Sequence, residues 1–246
     1  MTNSGKTLGI LGGLGPMSSV YFYEMLTEHT LAERDSDHLN ILLSSRADTP
    51  DRTEFITGRS NNNPIHTMLS EVSKLIGAGA DIIAIPCNTA HYFYDSISEA
   101  ASVPIINIIR QTAIFCRREG IKKAGILATE GTVLSGAYNT IFEMAGIECV
   151  TPDESEQQEI SHIIYGCIKK GIVPDKQRFF GVCDSLRRQG CEKLILGCTE
   201  LSLLKRGGEL DDELFVDSLE VLAYSAIRMC GKIPVGFNRH LMEFRV

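Results

Sequence analysis

Two cysteines end apolar runs in this chain. Cys87 lies in IAIPCNTAH and Cys198 in LILGCTEL. Most cysteines taken singly are small buried hydrophobes. These two differ because small polar residues follow each at once. Asn88 and Thr89 follow Cys87; Thr199 and Glu200 follow Cys198. A helix starting there would put backbone N–H groups and the positive end of a helix dipole beside each sulfur. That setting lowers a thiol pKa and also receives a carboxylate. Asn88, Thr89 and Thr199 serve equally as helix caps. Glu200 could orient or tune its cysteine, or complement the dipole as a first-turn acid.

The surroundings of the two cysteines repeat. GADIIAIPCNTA at Gly79 resembles GCEKLILGCTEL at Gly190, and each glycine precedes its cysteine by eight residues. KTLGILGGLGP at Lys6 likewise resembles KKAGILATEGT at Lys122. A packing role needs no cysteine in both halves, since Ala or Val would serve. Two thiols at matching places suit one reaction: inversion of a carbon that bears a proton. One thiolate removes the proton from one face and the other thiol delivers a proton to the opposite face. The remaining cysteines, Cys116, Cys149, Cys167, Cys183, Cys191 and Cys230, have no such partner and read as filler.

The elements that must position the thiols alternate. Apolar runs at Thr7–Leu11, Asn40–Ser44, Asp81–Pro86 and Pro104–Asn107 read as strands with both faces covered. Helix-like stretches lie between them at Ser18–His29, with Ser18 a candidate N-cap, and at Asn63–Gly77. The second half repeats the order, with strands at Lys123–Ala128, Glu148–Thr151, Lys193–Leu196 and Leu214–Asp217. Its helices fall at Gly136–Ala145, Ser155–Lys170, Lys176–Gln189 and Ser218–Cys230, the last capped by Asp217 or Ser218. The expected fold class is α/β: two similar domains from an internal duplication, each a parallel sheet flanked by helices. The first domain takes residues 1–107 plus about 218–246, the second residues 108–217. Ligands bind beyond the carboxyl ends of parallel strands, so the cleft between the domains is the expected active site.

Composition narrows the function. The chain has 246 residues, 43% hydrophobic and 22% charged, as in a soluble globular protein. Its net charge of −7 argues against non-specific nucleic-acid binding. No apolar run reaches membrane-spanning length and the N-terminus carries no signal-peptide pattern, so the chain reads as cytoplasmic, with reduced thiols. No C-x-x-C or His-Cys spacing suggests a metal. Gly9, Gly12, Gly13 and Gly15 do not form G-x-G-x-x-G, so no NAD is expected. Gly13 and its neighbours read instead as a turn that lets backbone approach a ligand. His91 reads as a tuner of Cys87 or as a surface or capping residue.

GILGGLGP, PDRT, PCNTAH, ATEGTVLSG and LGCTEL, in this order, closely resemble the aspartate/glutamate racemase family, and its aspartate racemases in particular. The similarity covers nearly the whole chain, and the two cysteine motifs together are specific. The resemblance implies a cofactor-independent racemase of two α/β domains, a homodimer acting on a small acidic amino acid. It implies Cys87 and Cys198 as the acid/base pair. It implies Arg52 as the residue holding the side-chain carboxylate and Lys169, with Lys170 as the alternative register, as a second carboxylate ligand. By position, Asn88, Thr89, Thr129 and Thr199 match groups that hold the α-amino and α-carboxylate ends, with Thr132 a weaker match. One stretch departs from the pattern: SSRADT precedes PDRT where an Asn-Asn-Pro-like segment is expected. Arg46 is therefore an added cation, which favours a longer substrate such as glutamate or points to water. The rival readings are a glutamate or broader racemase, a maleate isomerase-like or decarboxylase-like relative, and a non-catalytic amino-acid-binding module.

Overall fold

The computed structural model describes residues 5–208 and 210–244. The first half runs β1 (Thr7–Gly12), α1 (Pro16–Glu28), β2 (Asn40–Ser45), α2 (Arg52–Ile56), α3 (Ile65–Gly77), β3 (Ile82–Ala84), α4 (Tyr94–Ala100), β4 (Ile105–Ile106) and α5 (Ile108–Arg118). The second runs β5 (Lys123–Leu127), α6 (Glu130–Leu134), α7 (Ala137–Met144), β6 (Glu148–Val150), α8 (Glu154–Ser161), α9 (Lys176–Arg188), β7 (Lys193–Leu196), α10 (Thr199–Lys205), β8 (Phe215–Asp217) and α11 (Ser218–Met229). A short α12 (Arg239–Glu243) follows.

Each half holds a four-stranded parallel sheet. The orders are β2-β1-β3-β4 and β6-β5-β7-β8. The two orders correspond strand for strand, as a duplicated unit requires. After a half-buried lysine at the start of β5 and of β7, the central strands β3, β5 and β7 are runs of Ile, Leu, Ala and Gly buried on both faces, which is why no alternation marks them. In both sheets the chain first goes to one side of the opening strand and then to the other. That switch opens a crevice at the carboxyl ends of β1 and β3, and of β5 and β7. The loops after these four strands carry Leu14, Cys87, Thr129 and Cys198.

Three hydrophobic clusters hold the molecule together. One belongs to the first half, around Leu11, Met68, Ile83 and Ile97. One belongs to the second, around Ile164, Phe179, Leu194 and Leu201. The third is shared: it joins Leu8, Ile10 and Phe22 to Ala124, Ile126 and Phe142 through Ile109 of α5 and Leu222 of α11. Helix α5 packs on α7 of the other half, and α11 packs back on α1. The chain therefore exchanges across the two halves the helices that follow its fourth strands, β4 and β8.

Several expected boundaries shift. Helix α1 begins at Pro16 with Gly15 as N-cap, so Ser18 caps nothing; the proline supplies a preset φ at the first helical position. The expected helix Ser155–Lys170 is three pieces: α8, a π-helical stretch His162–Cys167 and a 3₁₀ turn Ile168–Lys170. Asp217 caps α11 by accepting from Leu219 N–H, while Ser218 donates to the Leu196 carbonyl. Helix α10 starts immediately after Cys198, but Cys87 is followed by a 3₁₀ turn, Thr89–Phe93, before α4.

Candidate active site

The loops beyond the two sheets line a small, narrow cavity. Its lining includes Cys87 and Cys198, Arg52 and Lys169, and Asn88, Thr89, Thr129 and Thr199. It also includes Glu200, and four residues the sequence reading did not single out: Leu14, Asp51, Thr53 and Tyr165. Two thiols, one from each half, meet in it with one cation from each half.

Arg52 starts α2 and is buried. Its Nη2 donates to the Leu14 carbonyl at 2.8 Å and its Nη1 to the Pro50 carbonyl at 3.1 Å. Among the described residues no carboxylate pairs with it, and its Nε has no hydrogen-bond partner. A buried guanidinium without a counterion is costly unless an anion completes it. Asp51 caps α2 by accepting from Glu54 N–H, which turns its carboxylate to the helix terminus. That cap is what fixes the PDRT turn and aims Arg52 inward.

Lys169 is presented by the 3₁₀ turn that follows the π-helical stretch. Its ammonium lies 3.0 Å from Glu200 Oε1, and 5.1 Å from the centre of the Tyr165 ring. Burial alone favours the neutral amine; the Glu200 carboxylate, with the charges of Cys198 and Cys87 added, outweighs it and raises the pKa above the ordinary lysine value. Lys170 is exposed and does not line the cavity. Tyr165 donates to Thr53 Oγ1 at 2.8 Å, tying the π-helical stretch to α2 across the cleft. Widened π turns are found often at functional sites because they re-aim side chains. The i, i+4 spacing of Tyr165 and Lys169 was the available signal for the tyrosine.

The small polar residues divide into two groups. Thr89, Thr129 and Thr132 form a closed ring of hydroxyls, at 2.9, 2.9 and 3.0 Å, bridging the two halves. Thr129 also caps α6. Thr199 donates to the Pro86 carbonyl at 3.2 Å, a second bridge. The Asn88 side chain is committed elsewhere: it donates to Ser218 Oγ at 3.0 Å and accepts from Tyr138 Oη at 2.8 Å. Thr132 touches the ring but does not line the cavity.

Two residues stand outside. Arg46 is half-exposed, pairs with Asp48 and lies 3.8 Å from Glu71. Gly13 has φ +84°, and a Cβ there would stand 2.4 Å from Arg46 N. The glycine thus permits a close backbone approach, but to the β2 loop rather than to the cavity.

The thiols are not alike. Cys198 Sγ donates to Glu200 Oε2 at 3.0 Å. Burial first, then the charge and hydrogen bond of Glu200, push its pKa well above the ordinary thiol value; Lys169 offsets this only in part. The expectation of a lowered pKa from the helix start therefore fails at Cys198, where desolvation and a neighbouring carboxylate outweigh backbone dipoles. His91 is buried, not on the surface. Its Nε2 accepts from Ile108 N–H at 3.1 Å and its Nδ1–H donates to the Cys87 carbonyl at 2.9 Å. It is a backbone clamp holding the Cys87 turn to the start of α5. Among the described residues no group of three or more His, Cys, Asp or Glu could hold a metal ion, and no helix is long and apolar enough to cross a membrane.

A family model for Asp/Glu/Hydantoin racemases matches residues 11–226, which takes in both thiol loops and both cations. The chain belongs to this racemase family. Racemases are isomerases, and the family's two-domain α/β fold is the one described above. A solved aspartate racemase of Picrophilus torridus is 28% identical, with TM-score 0.82 over 98% of this chain and 100% of its own. An aspartate racemase homologue of Pyrococcus horikoshii OT3 is 26% identical, with TM-score 0.75 over 92% of this chain and 99% of its own. A broad specificity amino-acid racemase of Bacillus subtilis (strain 168) is 28% identical over 227 residues, 89% of this chain and 96% of that protein.

Proposed function

We propose that this racemase interconverts L- and D-aspartate without a cofactor, by proton transfer between its two cysteines and the substrate Cα. The observation that carries the reading is the pairing, in one small cavity, of Cys87 and Cys198 with the cations Arg52 and Lys169. An acidic amino acid has two carboxylates, and each cation suits one of them. Arg52, buried and short of an anion, offers the fork geometry that a carboxylate accepts. The thiolate of one cysteine takes the α-proton. The thiol of the other returns a proton on the opposite face, and the roles exchange for the reverse reaction. The carbanion-like transition state is stabilised by fixed donors in a site with little room for water. The hydroxyls of Thr89, Thr129 and Thr199 are the neutral donors and acceptors at hand.

A second reading has a specific observation behind it. The relative from Bacillus subtilis is a broad specificity amino-acid racemase, so glutamate or wider substrates are the alternative to aspartate.

The test is proton NMR of the purified protein with L-aspartate in D₂O and no added cofactor, followed by chiral analysis. L-Glutamate and L-alanine run alongside. Loss of the Cα proton together with formation of D-aspartate is the expected result, and the three rates rank the substrates. Cys87→Ser and Cys198→Ser should each lower racemisation by about 10²–10⁴-fold, the usual contribution of an acid/base group. Full activity in either variant would exclude the two-thiol mechanism.

A further inference from the structure

The duplication breaks at one informative position. Two residues after Cys87 stands Thr89; two residues after Cys198 stands Glu200. The halves therefore give their thiols different partners. The Glu200 carboxylate is buried, accepts from Cys198 Sγ with one oxygen and pairs with Lys169 through the other. Space is made for it: a Cβ on Gly15 would stand 2.7 Å from Glu200 Oε1. A surface dipole-complementing acid needs none of this. A buried carboxylate is expensive in free energy unless paired, and among the described residues its cationic partner is Lys169, which lines the substrate cavity.

Resting on the racemase reading above, we propose that Glu200 holds the Cys198 proton while that cysteine acts as base. We further propose that a substrate carboxylate releases Glu200 for this role by drawing Lys169 away. In the free enzyme the proton sits on Cys198 Sγ and Lys169 neutralises Glu200. When Lys169 turns to a substrate carboxylate, Glu200 loses its direct ion-pair partner, and its proton affinity rises more than that of Cys198, which feels the ammonium only through its charge. The proton then crosses from Sγ to Oε2, leaving a thiolate and a neutral carboxylic acid. The thiolate takes the α-proton and Cys87 gives its own proton to the opposite face. After product leaves, Lys169 returns to Glu200, which loses its proton to solvent as Cys87 regains one. Two protons are thus shared among Cys87, Cys198 and Glu200, and the base on the second half forms only over a bound carboxylate. Cys87 has Thr89 in the corresponding place, so its proton is exchanged through solvent and not with a neighbouring carboxylate.

Overall racemisation cannot isolate one thiol, because both act in each direction. Elimination can. With 3-chloroaspartate, one thiolate removes the α-proton, chloride leaves the β-carbon, and water converts the enamine to oxaloacetate and ammonium. Each Cα enantiomer reports the cysteine on its own face, assigned with Cys87→Ala and Cys198→Ala. Glu200→Gln should slow oxaloacetate formation from the Cys198-side enantiomer at least tenfold. It should change the Cys87-side rate by less than threefold. Glu200→Asp should recover part of the loss, and carries the test alone if the glutamine variant fails to fold. Equal losses on both sides would overturn the proposal. So would faster elimination on the Cys198 side, which is expected if Glu200 merely suppresses the thiolate. Wild-type protein that neither exchanges nor eliminates would instead overturn the racemase reading itself.

Discussion

Arg52 shows how far a single residue can be argued from its surroundings. Its carbonyl contacts fix the guanidinium, yet they supply no negative charge. A carboxylate in the cavity would complete it through charge-assisted hydrogen bonds, each contributing about 1.5–3 kcal/mol. Arg52→Ala should therefore raise KM for aspartate roughly 10- to 100-fold. The effect on alanine should be much smaller if Arg52 holds the side-chain carboxylate, as the PDRT resemblance implies. Steady-state kinetics on both amino acids check this; unchanged aspartate kinetics would remove Arg52 from the substrate's reach. Arg52 was readable because it lies in a short, specific motif just past a strand. Arg46 carries the same charge six residues earlier, but sequence cannot say which way a loop side chain turns. There the nearby Asp48 and Glu71 decide, and Arg46 faces them. Tyr165 is marked in the sequence only by its i, i+4 spacing to Lys169, and nothing in an apolar stretch announces the π turn that aims it.

The turn after β3 is held by a helix start rather than by its own sequence. His91 spans from the Cys87 carbonyl to the first N–H of α5, so the Cys87 loop and α5 move as one. Burial pulls the His91 pKa down to about 4, and the clamp works only with neutral imidazole. In the unfolded chain the same group titrates near the ordinary value of about 6.5. Between these values the unfolded state binds a proton that the folded state refuses. Stability is therefore lost as pH falls from about 6.5 to about 4, and this group adds no further loss below that. From pH 7 to pH 5 its share is on the order of 2 kcal/mol. His91→Gln should reduce the drop in urea-unfolding free energy between those pH values by that amount, although the variant starts less stable. An identical drop in both proteins would mean that His91 is not held neutral. Elements of this kind explain what sequence did and did not disclose. The central strands were plain as Ile-, Leu- and Val-rich runs, and the long helices as periodic stretches. Helices α2 and α6 have five residues each, too few for a periodic signal. Both are capped at their first turn and close the cleft face to face: a Cβ on Gly131 of α6 would stand 2.8 Å from Thr53 Cα of α2.

Two copies of one α/β unit could behave as two bodies joined by a linker, but the exchanged helices argue otherwise. Helix α11 leaves the second sheet and packs on α1 of the first half, while α5 leaves the first sheet and packs on α7 of the second. The cluster they build contains strands of both sheets. The repeat in the sequence disclosed the duplication, and the expected domain bounds, residues 1–107 plus about 218–246 and residues 108–217, give α11 to the first half and α5 to the second. Opening one half must expose the core of the other, so the chain should unfold as a single cooperative unit. Ile227 on α11 is fully buried in that shared cluster. Ile227→Ala should cost about 2–5 kcal/mol, as large-to-small core changes do. The informative result is where the loss falls. Amide hydrogen exchange should quicken by the same factor in β3 of the first half and β7 of the second. Urea transitions followed by far-UV circular dichroism and by tyrosine fluorescence, the chain having no Trp and seven Tyr, should coincide. Faster exchange in β7 alone, or two separated transitions, would mean that the halves are independent. The two thiols would then face each other across a hinge instead of a fixed cleft.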